Sequence, residues 1–407
     1  MNIMKDQTPL GRSLFGRGLL SLLLLACICL EPGVLPAQSV GVSTNEILIG
    51  QSCALKGPTR ALGLGMRNGA LAYFKHVNDN GGIHGKRIRM LSYDDGYEPD
   101  ACIKNTNRLI REDQVFLLFG YVGTPTSKVA VPIATDERVP YFAPFTGAEF
   151  LRSPLNRYVF NVRASYYQET AAMVERLVLD QGIKRISVFY QDDSYGRAGW
   201  EGARLALERR GMGMVNDATY PRNTLEVSPA VEEMLNVNPE AVIMIGAYAP
   251  CAEFIKQMRD GGSDAIFLNV SFVGADALAH SLQNKGVGVV ITQVVPYPFN
   301  KRIAVVDEYH RMIQKYEPEE EPNFVAMEGF VAAKALCKIL REAPEPLTRQ
   351  GFIEAAENQA NVDLGGFTFG FNPADHQGSD LVYFSQVGPG GFISPIDNLH
   401  QLYKYVH

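Results

Sequence analysis

From residue 46 onward the chain alternates short apolar runs with stretches whose apolar residues recur at helical spacing. Residues 46–54, with Ile47, Leu48 and Ile49, predict a strand. In residues 65–80, Ala70, Tyr73, Phe74 and Val77 stand at i, i+3, i+4 and i+7, which lays one apolar stripe along a helix; Asn80-Gly81-Gly82 ends it. Further strands are predicted at 87–93, 115–119 and 140–144, and helices at 100–112 and 125–136. The series then restarts, with helices at 168–181, 199–210 and 250–260 and strands at 186–190, 241–246 and 265–270. A strand at 289–295, a long helix at 324–341 and glycine-rich short strands between 364 and 405 follow. Repeated strand–helix–strand order implies an α/β protein with doubly wound parallel sheets.

The two series echo each other. Phe116-Leu117-Leu118-Phe119-Gly120-Tyr121 leads through Pro125 into a helix, and Ile243-Met244-Ile245-Gly246-Ala247-Tyr248 leads through Pro250 into another. Asp94-Asp95 and Asp192-Asp193 both stand at the carboxyl end of a strand. Two lobes of similar build are expected. No low-complexity linker separates them, which favours several chain crossings. The expected division is a leader at 1–37, one lobe from 38–162 with 294–370, and a second from 163–293 with 371–407.

With 407 residues, 46% hydrophobic and 20% charged, the chain has material for two buried cores. Its net charge of -6 and the lack of any Lys/Arg stripe argue against a nucleic-acid partner. Lys5, Arg12 and Arg17 precede an apolar run at 18–30, and Leu35-Pro36-Ala37 offers a small residue for cleavage. This is the pattern of a secretory signal peptide and predicts a periplasmic protein. Leu24-Leu25-Ala26-Cys27 resembles a lipoprotein processing site, so lipid anchoring at Cys27 stays open. Cys53, Cys102, Cys251 and Cys337 lack CxxC spacing, which speaks against a zinc or redox site. A Cys53–Cys102 disulfide and buried free thiols are both compatible with the sequence.

In open parallel sheets, ligands bind beyond the carboxyl ends of the strands. The turns after the apolar runs are therefore the candidate sites. Residues 120–127 combine small residues, the Thr124 hydroxyl and free N–H groups where a helix begins, a cradle suited to an anion such as a carboxylate. Phe145-Thr146-Gly147 offers another hydroxyl, and Tyr195 and Tyr248 offer flat phenols from the second series. Both tyrosines are expected in turns, where truncation to Ala would weaken binding and spare the fold. Enzyme signatures are weak. Residues 63–69 have one residue too many for a dinucleotide fingerprint, and no GxSxG elbow, Walker loop or HExxH occurs. The paired aspartates are read as solvated caps. No enzyme activity, metal or cofactor is expected.

The order Ile47-Leu48-Ile49-Gly50, Lys56-Gly57-Pro58, Asn78-Asp79-Asn80-Gly81-Gly82-Ile83, Tyr93-Asp94-Asp95, Asp193-Ser194-Tyr195-Gly196 and Gly246-Ala247-Tyr248 resembles the periplasmic Leu/Ile/Val-binding proteins of ABC importers. The resemblance implies a type I periplasmic-binding fold, two lobes joined by three crossover segments that close on a solute. It also implies docking of the loaded form on an ABC permease in the membrane. By matching positions, Thr124 and Phe145, Thr146 and Gly147 would hold a ligand carboxylate, Tyr195 and Tyr248 would close over it, and Leu62 would wall the pocket. Ser271 stands where the amino-acid binders carry a Glu for the ligand ammonium. Either Asp95 or Glu328 substitutes for that Glu, or the ligand lacks the amino group. The expected ligand is thus a branched-chain or other amino acid, an amide or a carboxylate. The alternative role is a ligand-sensing receptor subunit of the same fold for amides or organic acids.

Overall fold

The computed structural model describes residues 39–405, so the predicted signal peptide and Cys27 lie outside the described residues. Strand β1 (Glu46–Cys53) is followed by α1 (Arg60–Asp79), β2 (Arg87–Asp94), α2 (Pro99–Asn107), β3 (Leu117–Phe119), α3 (Thr124–Asp136), β4 (Tyr141–Phe142) and β5 (Val159–Phe160). These strands form one parallel sheet in the order β2-β1-β3-β4-β5. Ile47 and Ile49 point to one face, while Leu118 and Tyr141 pack with Cys102, Leu109 and Ala130 on the other. Apolar residues on both faces are what a sheet covered by helices on both sides requires.

The second sheet is built from α4 (Tyr166–Gln181), β6 (Ile186–Gln191), α5 (Ser194–Glu208), β7 (Asp217–Tyr220), α6 (Ser228–Val237), β8 (Ala241–Ile245), α7 (Tyr248–Asp260), β9 (Ile266–Asn269), α8 (Ala275–Leu282) and β10 (Val290–Gln293). All five residues of β8 are buried, as expected of a central parallel strand. The chain continues through α9 (Ala304–Tyr316), α10 (Phe324–Glu342), α11 (Arg349–Glu357), β11 (Val362–Asp363), β12 (Thr368–Phe369), β13 (Tyr383–Val387) and β14 (Ile393–Ile396). β13 and β14 add antiparallel strands to the second sheet, giving the order β14-β13-β10-β9-β8-β6-β7. The two sheets are therefore joined at β5–α4, β10–α9 and β12–β13. The first and third crossings are bonded to each other: Asn161 N–H donates to His376 O at 2.9 Å and Gly378 N–H to Asn161 O at 2.6 Å.

Several elements differ from the sequence reading. α1 begins five residues earlier than expected, at Arg60, and α5 begins at Ser194 rather than 199. The cause at α5 is Asp193, whose carboxylate accepts from the Tyr195 and Gly196 N–H groups and caps the helix. β7 and α6 escaped notice because β7 buries only Ala218 and Tyr220, too few for a visible period. The helix expected at 100–112 is α2 followed by a single π turn at Arg108–Glu112.

The glycines of residues 63–69 serve packing rather than phosphate binding. A Cβ on Gly69 would lie 1.8 Å from the Ala326 carbonyl oxygen, and one on Gly329 would lie 2.2 Å from that of Met66. Both glycines let α1 and α10 meet backbone to backbone. Gly69→Ala is expected to destabilise the protein by about 3 kcal/mol, since neither backbone can retreat without unpacking its helix. Urea denaturation followed by circular dichroism would measure this, and an unchanged midpoint would contradict the packing.

Candidate functional site

The carboxyl ends of both sheets meet in one region, and most of the predicted residues gather there. Thr124 is the first residue of α3, behind Gly123, and no side chain caps that helix end. Its hydroxyl lies 2.6 Å from the Thr146 hydroxyl, which donates to the Tyr166 hydroxyl at 3.2 Å. Gly123 N–H donates to Phe145 O at 3.2 Å, so the two loops run side by side. Thr124, Phe145, Thr146 and Gly147 are all buried. From the other sheet, Tyr195 enters in the first turn of α5, and its hydroxyl donates to Gly246 O at 3.2 Å. Tyr248 opens α7, is half-buried, and hydrogen-bonds the Ala61 backbone. Leu62 sits in α1 against Gly274, where a Cβ would come within 2.6 Å of Leu62 Cδ2. That close approach, with φ of +79°, is available only to glycine.

The expectation that Tyr195 and Tyr248 occupy turns is corrected: both are in helical first turns. Tyr195 is fully buried, its ring 5.4 Å from Tyr166 and 4.6 Å from Phe272. Its truncation would therefore cost stability as well as any binding role.

Ser271 does not stand alone either. It opens a short 3₁₀ turn, Ser271–Val273, and its N–H and Oγ donate to the two Glu169 oxygens at 2.7 and 3.0 Å. Glu169, on α4, also accepts from Thr292 Oγ1 at 2.5 Å and pairs with Arg163 at 2.9 Å. Arg163, two residues before the start of α4's cap region in the first crossing, donates to Ser271 Oγ and reaches Glu328 of α10 at 3.4 Å. One buried guanidinium thus bonds elements from both sides of the molecule. Burial pulls the Arg163 charge down, but Glu328 and Glu169 outweigh it and hold the group above its ordinary value.

Neither acid expected to replace a missing Glu is free. Asp95 accepts from Ser52 Oγ at 2.7 Å and Tyr97 N–H at 2.9 Å, and burial pushes its carboxyl up to about 6. Glu328 is committed to Arg163, and burial pushes it up to about 7 against that pull. The paired aspartates are local caps, as expected, although Asp95 is buried rather than solvated: Asp94 accepts from Leu55 N–H at 2.8 Å, and Asp193 caps α5. The four cysteines among the described residues are buried free thiols, so the Cys53–Cys102 bridge is not formed.

Two aromatic residues at the centre were not singled out from the sequence. Phe272, next to Ser271, is fully buried with its ring 6.0 Å from Tyr97, 5.3 Å from Phe145 and 4.6 Å from Tyr195. Tyr97 follows the Asp94-Asp95-Gly96 turn at a φ of 63°, and its hydroxyl accepts from Gln191 Nε2 at 3.4 Å. Their signal was position: each lies just beyond the carboxyl end of a strand. At the rim, Arg222 pairs with Glu98 at 2.7 Å and Asn223 Nδ2 donates to Glu98 Oε1 at 2.7 Å. On the outer side a cavity of about 670 Å³ is lined by Arg60, Leu62, Gly274, Asp276, Asn323 and Val325.

Two doubly wound sheets, three crossings and facing strand tips define the class of two-lobed binding proteins. Comparison with known proteins gives the family. The family described as periplasmic binding protein matches residues 46–391. The crystal structure of a possible leucine/isoleucine/valine-binding protein from Rhodopirellula baltica SH 1 superposes with a TM-score of 0.84 at 36% identity, covering 90% of this chain and all of that one. A substrate-binding periplasmic protein from Ralstonia solanacearum superposes with a TM-score of 0.81 at 31% identity, covering 86% of this chain and all of that one. Leu/Ile/Val-binding protein homolog 7 of Brucella abortus is 24% identical over 373 residues, 86% of this chain and 88% of its own. The chain belongs to the periplasmic binding proteins, in the Leu/Ile/Val-binding-like family, and has their type I fold. Membership implies an extracytoplasmic location and a binding rather than an enzymatic role.

The buried acid gives a pH prediction. The folded-state value of Glu328, about 7, lies above the ordinary 4.5, so its protonated form favours folding. That contribution is full below about 4.5 and is lost as pH rises through about 7. Thermal melts of the wild type should therefore decline between pH 5 and 8, and the decline should be shallower in Glu328→Gln, by at most about 1.4 kcal/mol per pH unit. Parallel curves for the two proteins would contradict this assignment.

Proposed function

We propose that this protein is the extracytoplasmic solute-binding subunit of an ABC importer, exported through the leader at 1–37, and that it captures a small carboxylate between two closing lobes. In this reading residues 38–162 with 294–370 and residues 163–293 with 371–407 move as the two bodies, and a membrane permease receives the closed form. The observation that carries it is the pair of threonine hydroxyls, 2.6 Å apart at the uncapped N-terminus of α3. Hydroxyls and first-turn N–H groups with the positive end of a helix dipole suit a carboxylate. Thr124, Phe145, Thr146 and Gly147 hold the anion in this account, Tyr195 and Tyr248 close from the second lobe, and Leu62 borders the outer end.

The charges favour a carboxylate or amide over an amino acid. Glu169 and Glu328 face Arg163, with Arg152 close enough to act on both acids. Both acids are bonded to Arg163, and Arg152 is also acted on by Glu149. An ammonium buried beside them would have no counter-charge of its own. Because Phe272 fills the middle, a solute reaches the threonines by parting the lobes or turning that ring.

Thermal-shift screening of organic acids, amides and amino acids tests the reading. One class of organic acid or amide should raise the melting temperature, by the equivalent of about 2.7 kcal/mol at a hundredfold excess over Kd, and be recovered unchanged. Chemical conversion of the stabilising compound would overturn the binding role, and stabilisation by amino acids alone would overturn the carboxylate assignment.

A further inference from the structure

We infer that Phe272 is the residue that selects among solutes, restricting the cleft to flat molecules that stack on its ring. The inference rests on the reading of the cleft as a solute site. Phe272 comes from the second sheet, after β9, yet its neighbours Tyr97 and Phe145 come from the first. It is thus the central side chain through which the two halves touch between their strand tips, with Tyr195 completing the aromatic group at 4.6 Å.

The ring is fixed from both ends of its turn. Before it, Ser271 is tied through N–H and Oγ to Glu169. After it, Gly274 is pressed against Leu62. The Leu62 contact holds the turn while the lobes are shut, and the Ser271–Glu169 bonds, which lie within the second lobe, keep it in place as they part, so a solute must accommodate the ring rather than displace its turn. The surrounding faces are aromatic, and the interplanar angles of Phe272 with Tyr97 and Phe145 are only 36° and 38°. A planar solute entering as the lobes part would find tilted aromatic faces on both sides and could stack offset on the Phe272 ring. A puckered or branched solute of equal carbon count would need a wider gap and would hold the lobes further apart.

Benzoate and cyclohexanecarboxylate make the comparison, since they share ring size and carboxylate and differ in flatness. Calorimetry with the mature wild-type protein should show benzoate bound about tenfold more tightly. In Phe272→Ala the ratio should fall to within about twofold. Phe272→Leu, which keeps most of the bulk and removes the flat face, should lose the benzoate preference without opening a cavity, and guards against misfolding of the alanine variant. An unchanged ratio in both variants overturns the role of Phe272 while leaving the solute site standing, because both acids still bind. If neither acid binds any of the three proteins, the inference and the carboxylate reading fall together.

Discussion

The structure depends on a single buried guanidinium. Arg163 stands in the first crossing and binds Glu169 on α4, Ser271 beyond β9 and Glu328 on α10. Glu169 is a near neighbour in sequence, whereas Ser271 and Glu328 lie 108 and 165 residues from Arg163 and are brought to it where the chain passes between its two sheets. Taking such charges out of water is expensive, and a buried ion pair is weak evidence for net stability. What it supplies is geometry. Remove one partner and the others are left buried and unpaired, so the arrangement tolerates little deviation.

That constraint reaches the site through Ser271. Glu169 orients the turn that carries Phe272, and Phe272 meets Tyr97 and Phe145 across the gap. The first crossing and the aromatic group between the two sheets are thus connected by two hydrogen bonds and one side chain. In the proposed function, opening the lobes would separate Phe272 from the first-sheet rings and strain the bonds around Arg163. A solute that replaces the lost aromatic contacts offsets the first of these costs. The Arg222–Glu98 pair at the rim is partly exposed and contributes less, as solvent screens it.

Much of this was legible in the sequence. Apolar runs and helical stripes placed most of the strands and helices, and the doubled strand–turn–helix pattern pointed to two sheets. Thr124, Thr146, Tyr195 and Tyr248 were chosen because ligand sites in such sheets lie beyond the strand ends, and the structure places all four there. What stayed hidden was long-range. Nothing local marks Arg163 as the partner of Glu328, since 165 residues separate them. Phe272 looked like one more apolar residue, because its meaning comes from what it faces. The start of α5 was misplaced because the Asp193 cap read as half of a carboxylate pair, and that error turned a buried Tyr195 into a turn residue.

In the proposed function the two halves open and shut around Phe272 and its aromatic neighbours. Small-angle scattering of the mature protein, with and without a saturating stabilising acid, addresses this directly. The account predicts a more compact particle with the acid, and a return to the extended one after dialysis. The same radius of gyration and the same scattering curve in both states, at concentrations where calorimetry shows full occupancy, would contradict it.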